Sequence, residues 1–244
     1  MDGAANSRAG QGVANRTGVV PRRGRTDEGI KMMRRRLTLQ LAAAAAVLPA
    51  GRFALAQAPF AEGRDYIRLA RPVATSTPGK IDVLEFFWYG CPHCNAFQPA
   101  VESWAARQQP DVAFRRVPVG FSAMHETHAK LFYALEVLGE IEKMHRRVFA
   151  AMHVQRRRLD READIAAFVA EQGLDRDKFV EAFRSFGVAT KARQAKSLAD
   201  AYKIDGTPSI GVHGRFFTSG SLAGSNERSL QVTDHLVQLI RKGG

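Results

Sequence analysis

The stretch EFFWYGCPHCNAFQPAVESWAA, residues 85–106, decides the fold. It holds both cysteines of the chain, Cys91 and Cys94, one helical turn apart. Just upstream, residues 81–88 form an apolar run broken only by Asp82 and Glu85, the pattern of a strand buried on both faces. Downstream, Phe97, Val101 and Trp104 recur at the spacing of one helix face, and Pro99 inside that helix predicts a kink. Residues 112–119 read as a further strand. Strand, helix and strand within about 40 residues make a βαβ unit, with a parallel pair joined by a right-handed crossover.

Outward from this unit, residues 66–69 read as a short edge strand and Pro78-Gly79-Lys80 as a turn. Residues 122–203 carry almost no strand signal. Helices are predicted over 125–138, 141–154, 161–172 (capped by Asp160), 175–186 and 188–202, with Gly139, Gly173 and Gly187 as stops. Strand signals return at 208–212 and 216–218, with Gly214 as the turn residue. A last amphipathic helix carries Leu230, Thr233, Val237 and Ile240 on one face. The layout is an α/β framework over 59–120 and 204–244, interrupted by a helical block at 121–203.

Residues 1–31 lack an apolar period and read as a disordered leader or a mis-called start, with Met32 or Met33 as the alternative to Met1. Residues 32–56 have the layout of a secretory signal: Arg34–Arg36, an apolar run over 37–48, and the small-x-small site Ala54-Leu55-Ala56, with cleavage after Ala56. That run is too short to span a bilayer. The Arg pair also admits twin-arginine export, although ordinary export fits better. The net charge of +12 is mostly a leader effect, because the first 56 residues hold ten Lys and Arg against three Asp and Glu. A nucleic-acid partner is therefore not expected. Export places the cysteine pair in an oxidising compartment, where it can persist as a disulfide.

A strand that delivers Cys91 to a helix N-terminus gives its thiol particular chemistry. The first-turn N–H groups are unpaired, and the helix dipole puts partial positive charge there, so both favour thiolate. His93 adds a nearby donor that becomes cationic when protonated, and Pro92 sits in the first turn, where a missing N–H costs nothing. A thiolate favoured in this way favours the reduced pair, so the disulfide is poised to transfer. Cys94, one turn deeper, would be the shielded resolving thiol. Three other readings are weaker. As a structural staple the four-residue loop yields only about 2 kcal/mol. A metal site would have to recruit His125 and His128, which have no spacing tie to the cysteines. A pair of inert thiols fits neither export nor the helix start.

Residues 83–101, VLEFFWYGCPHCNAFQPAV, resemble the active-site segment of the DsbA family of periplasmic thiol–disulfide oxidoreductases, and the likeness extends over roughly 62–242. The resemblance implies a thioredoxin-like fold with an inserted all-helical subdomain. It implies a buried acid at Glu85 acting as proton acceptor for Cys94, and a cis-proline at Pro208 facing the disulfide, with Thr207 pairing to substrate backbone. It also implies reduced or unfolded exported proteins as substrates, a membrane quinone-linked reoxidase of the DsbB type, and a monomer needing no bound cofactor or metal. One departure is Thr207. Valine before the cis-proline is common in the oxidases, and threonine in isomerases and reductases, which leaves those activities as the alternative reading. An exported Cys/His metal carrier is the alternative from another class. Isomerases, however, carry an N-terminal dimerisation domain for which residues 57–66 leave no room.

The other candidates read as structural. His125, His128, His145 and His153 are expected to be solvated helix residues, and residues 155–158 a solvated junction. Phe86, Phe87, Phe97, Trp104, Phe168, Phe179 and Phe183 are expected in the core, and Trp88 and Tyr89 on an apolar peptide-binding face.

Overall fold

In the computed structural model, which describes residues 60–243, strand β2 (Ile81–Phe87) is buried at every position, as its apolar run requires. It pairs in parallel with β3 (Val112–Pro118), in register from Ile81 opposite Val112 to Phe87 opposite Pro118. Helix α1 (Pro92–Ala106) makes the crossover. On its other side β2 runs antiparallel to β4 (Ser209–Val212), which turns into β5 (Phe216–Ser219). The two-residue strand β1 (Ile67–Arg68) pairs with β5 and completes the order β1-β5-β4-β2-β3. The leader and signal readings at 1–56 lie outside the described residues.

Strand periodicity divides the side chains of β2 between two cores. Ile81 and Val83 face α1 and the C-terminal helix α8 (Asn226–Arg241), in a core with Phe97, Trp104, Val232 and Leu236. Glu85 has the same parity and so points toward α1. Leu84 and Phe86 face the opposite way, into a core shared with the inserted helices. Those helices, all between β3 and β4, are α2 (Ala123–Val137), α3 (Ile141–His153), α4 (Glu162–Glu171), α5 (Arg176–Arg184) and α6 (Phe186–Ala201). Helix α2 packs on α3, α5 and α6, and α6 also packs on β3. A short helix α7 (Gly220–Ala223), which carries no signal of its own in the sequence, links β5 to α8. The seven aromatic residues expected in the core are buried.

Helix boundaries differ from expectation where capping chemistry was misassigned. Asp160 does not cap α4; its carboxylate accepts from Arg158, and Arg161 occupies the cap position without a side-chain bond. Asp175 does cap α5, accepting from the Asp177 and Lys178 N–H groups. The next break falls at Ser185, not Gly187. The Ser185 hydroxyl accepts from the Val188 N–H and starts α6 two residues earlier than the glycine would allow.

Among the described residues no helix is long and apolar enough to cross a membrane.

Candidate active site

The strand-to-helix junction places Cys91 at the N-cap of α1, with extended backbone and Pro92 in the first turn. The Cys94 N–H donates to Cys91 Sγ at 3.4 Å, so the sulfur takes the place of a capping oxygen. Cys91 and Cys94 are both free thiols, and both are buried by side-chain exposure. From the far end of the sequence the Thr207–Pro208 loop arrives with a cis peptide bond, and Cys91 Sγ donates to the Thr207 carbonyl at 3.3 Å. Cys91, Cys94, Thr207 and Pro208 thus meet at one point, while Pro92 and His93 lie exposed beside it.

Surroundings push the two thiols apart. Cys91 is lowered to about 5, chiefly by the hydrogen bond from the Cys94 thiol. Burial opposes this, and the Thr207 side chain and the backbone N–H groups of Cys94 and His93 add to the lowering. Cys94 is pushed strongly up by burial and by Cys91 itself. The Cys91 sulfur is therefore the one disposed to ionise, and the Cys94 sulfur the one held as a shielded thiol.

Two walls flank Cys91. A groove of about 570 Å³ runs from His93, Thr207 and Pro208 to Ser219, Leu222 and Asn226. On the other side the Trp88 indole folds back over Gly90, where a Cβ would come within 2.3 Å of the ring. His125 lies against Trp88 with ring centroids 4.3 Å apart, and Phe121, 44% exposed, is tilted against His125.

Glu85 is wholly buried behind the cysteines. Its carboxylate accepts from Gln98 Nε2 at 2.8 Å and Arg116 Nε at 3.2 Å. Burial raises its pKa, against the lowering effect of Arg116 and Gln98.

A family model described as a DSBA-like thioredoxin domain matches residues 122–226. The thiol:disulfide interchange protein DsbA of Azotobacter vinelandii is 43% identical over 180 residues, covering 73% of this chain and 84% of that protein. The chain belongs to the DsbA family. The Pseudomonas aeruginosa DsbA is 38% identical over 183 residues, covering 75% of this chain and 86% of that protein. Its crystal structure superposes with a TM-score of 0.73 at 36% identity, over 75% of this chain and 96% of that one. The DsbA of Xylella fastidiosa gives 0.71 at 32% identity, over 75% and 98%. The thioredoxin-like fold with its helical insertion and the thiol:disulfide oxidoreductase activity follow from this membership.

Several DsbA-site residues were misread from sequence. His128 and His145 are buried, not solvated. His128 Nε2 bonds the Leu159 carbonyl at 3.0 Å, and His153 Nε2 the Tyr89 carbonyl at 2.8 Å. Tyr89 is fully buried and belongs to no peptide-binding face, because its ring packs against Phe87 and Phe149. Gln98, which carries no motif in the sequence, touches both Glu85 and the Cys94 carbonyl. The signal available for it was position: one turn past Cys94, on the buried face of α1. Arg157, within the expected solvated junction, pairs with Glu171 and lies over the Phe168 ring.

Proposed function

We propose that this chain is a disulfide oxidase of the exported compartment, which passes its Cys91–Cys94 disulfide to reduced, newly exported proteins. The observation that carries the reading is the placement of the two sulfurs: Cys91 caps the N-terminus of α1, 3.3 Å from the carbonyl before the cis-proline, and Cys94 is shielded behind it. A substrate thiolate attacks Cys91 Sγ of the disulfide. The Cys91–Cys94 bond breaks, and Cys94 leaves with the electron pair and takes up a proton from solvent; when the disulfide closes again, Glu85 is the acceptor of the Cys94 proton. A second substrate thiolate then attacks the substrate sulfur of the mixed disulfide and releases Cys91 as thiolate. Both electrons end on the enzyme's cysteines, and the substrate holds the disulfide.

Thr207 and Pro208 would hold the substrate as an added strand, with the Thr207 backbone as pairing partner and Pro92 as a neighbouring contact. His93 would act at the rim of the thiol. A membrane quinone-linked reoxidase of the DsbB type restores the disulfide, and no bound cofactor or metal enters the cycle. The periplasm is the expected compartment and a monomer the working form. The isomerase or reductase alternative rested on Thr207. Its side chain lowers Cys91, which stabilises the reduced enzyme and so favours an oxidising disulfide. The metal-carrier alternative required His125 and His128, and these are engaged by the Trp88 ring and by the Leu159 carbonyl.

The decisive measurement is the redox equilibrium against graded glutathione buffers, read by Trp88 fluorescence. A potential well above the roughly −270 mV of thioredoxin supports the oxidase, and a value at or below it overturns that reading in favour of a reductant. Cys94→Ala should accumulate mixed disulfides with exported proteins, and Cys91→Ser should trap none.

A further inference from the structure

Beyond Glu85 the buried polar groups continue into the inserted helices. Gln98 Oε1 lies 3.0 Å from His145 Nε2, and His145 Nδ1 lies 2.9 Å from the Tyr89 hydroxyl. Glu85, Gln98, His145 and Tyr89 are each 3% exposed or less. The chain of bonds joins β2, α1, α3 and the segment before Cys91, and it has one sense.

That sense follows from an acceptor that cannot donate. Gln98 Nε2 lies 3.4 Å from the Cys94 carbonyl oxygen as well as 2.8 Å from Glu85. A carbonyl only accepts, so the Gln98 atom facing Cys94 and Glu85 is the NH2 group, and its Oε1 faces α3. His145 Nε2 must then carry the hydrogen, and its Nδ1 lone pair accepts from Tyr89. The imidazole is thereby fixed as one neutral tautomer. Reversing the Gln98 amide would set its oxygen against the Cys94 carbonyl and would require Glu85 to be the donor. The bonds of His145 add to the cost of that reversal, because the imidazole would have to exchange tautomers and the Tyr89 hydroxyl would have to turn from donor to acceptor.

We infer that His145 is a positioning residue for the redox reaction: it locks the Gln98 amide so that a donor always faces Glu85, keeping that carboxylate able to take the Cys94 proton. This rests on the role proposed above for Glu85 and deepens it, since it couples the helical insertion to the resolving thiol. The step served is closure of the disulfide. The Cys94 thiol gives its proton to Glu85, the Cys94 thiolate attacks Cys91 Sγ of a mixed disulfide, and the departing thiolate leaves with the electron pair. The charged and titratable groups around Glu85 are Arg116 from β3, Glu102 from α1, and His145 and Arg146 from α3, with Tyr89 and Cys94 closing the site. Glu102 is paired to Arg116 and to Arg146, so His145 and Gln98 are the neutral contribution to this carboxylate's environment.

Glutathione disulfide as oxidant separates the steps. The reduced enzyme first forms a mixed disulfide at Cys91, then closes to Cys91–Cys94 and releases glutathione. In His145→Phe the second phase should slow by about tenfold at mildly acidic pH, with its pH profile displaced upward by about one unit. The first phase and the Cys91 thiolate absorbance titration should not move. His145→Gln, whose amide can donate to Gln98 and accept from Tyr89, should restore the wild-type profile. If His145→Phe does not fold, Tyr89→Phe removes the bond that orders the imidazole and should displace the profile in the same direction. An unmoved closure profile, or equal changes in both phases, would overturn the inference. Glu85→Gln distinguishes the premise: closure at the wild-type rate in that variant removes the Glu85 role itself, whereas slow closure there with normal closure in His145→Phe sinks only the inference.

Discussion

Cys91 Sγ and the Thr207 carbonyl oxygen, 116 positions apart in sequence, meet at 3.3 Å. The Thr207 side chain also helps lower the Cys91 thiol to about 5. Thr207→Val keeps the shape and removes the hydroxyl, so the midpoint of the thiolate absorbance at 240 nm should rise above about 5. A midpoint that stays in place would assign the lowering to Cys94 and the backbone N–H groups alone.

The same thiolate makes the reduced protein's stability depend on pH. Cys91 is depressed in the folded state relative to an ordinary thiol, so its contribution is complete above the ordinary value of 9.0 and is lost as pH falls through about 5. The oxidised protein has no such group. The excess stability of the reduced over the oxidised form should therefore shrink between those limits as pH is lowered, as paired denaturant titrations would register. A gap that widens on acidification would contradict the assignment of the thiolate to Cys91.

The fold was legible because the elements that make it are long and strongly patterned. The βαβ unit and the cysteine pair sit in one continuous stretch, and the insertion is marked by 80-odd residues with helical periods and little strand signal. The polar interior was not legible. Gln98 and His145 look like ordinary helix residues in the sequence, and only the parity of β2 and the packing of α3 on α1 bring them to Glu85. Tyr89 misled for a related reason. It adjoins the active-site segment, yet the chain turns it into the aromatic cluster of Phe87, Phe149 and His145.

Asp65 anchors the N-terminal segment to the sheet and α8. Its carboxylate accepts from the Ala61 N–H at 2.8 Å and pairs with Arg64 and Arg228. The Ala61 bond first, then Arg64, hold it well below the usual carboxylate range, although burial opposes them. A depressed carboxylate stabilises the fold above its unfolded value and loses that effect as pH falls toward the folded one. Asp65→Asn should lower the melting temperature at neutral pH and flatten its decline below about pH 4. An acid decline as steep as the wild type's would place the sensitivity elsewhere.

The turn between β4 and β5 depends on close approach. Gly214 has φ +67°, and a Cβ there would lie 1.8 Å from the Val73 carbonyl oxygen. That contact lies beside the bond in which the Val73 N–H donates to the Gly214 carbonyl at 2.8 Å. The Gly214 N–H in turn donates to the buried Tyr202 hydroxyl at 2.7 Å. Gly214→Ala combines a left-handed backbone with a backbone clash that no rotamer relieves, and should cost about 3 kcal/mol or more. Chemical denaturation would measure it, and a loss under about 1 kcal/mol would mean that the Val73 segment yields.

Phe87 tests whether the insertion and the framework share one core. It ends β2, is wholly buried, and packs edge-on against Tyr89, Phe132 and His145, with Phe149 tilted beside them. Phe132 lies on α2, while His145 and Phe149 lie on α3, so one side chain joins the sheet to two inserted helices. Phe87→Ala removes that bridge and leaves a cavity, at a cost of about 3–5 kcal/mol. If the two parts unfold as one unit, far-ultraviolet circular dichroism and Trp104 fluorescence should move together to lower denaturant concentration. Were the helices to melt first while Trp104 stayed in its native environment against Asp234 and Phe114, the two cores would unfold independently, and Phe87 would stabilise only the one it shares with the helices.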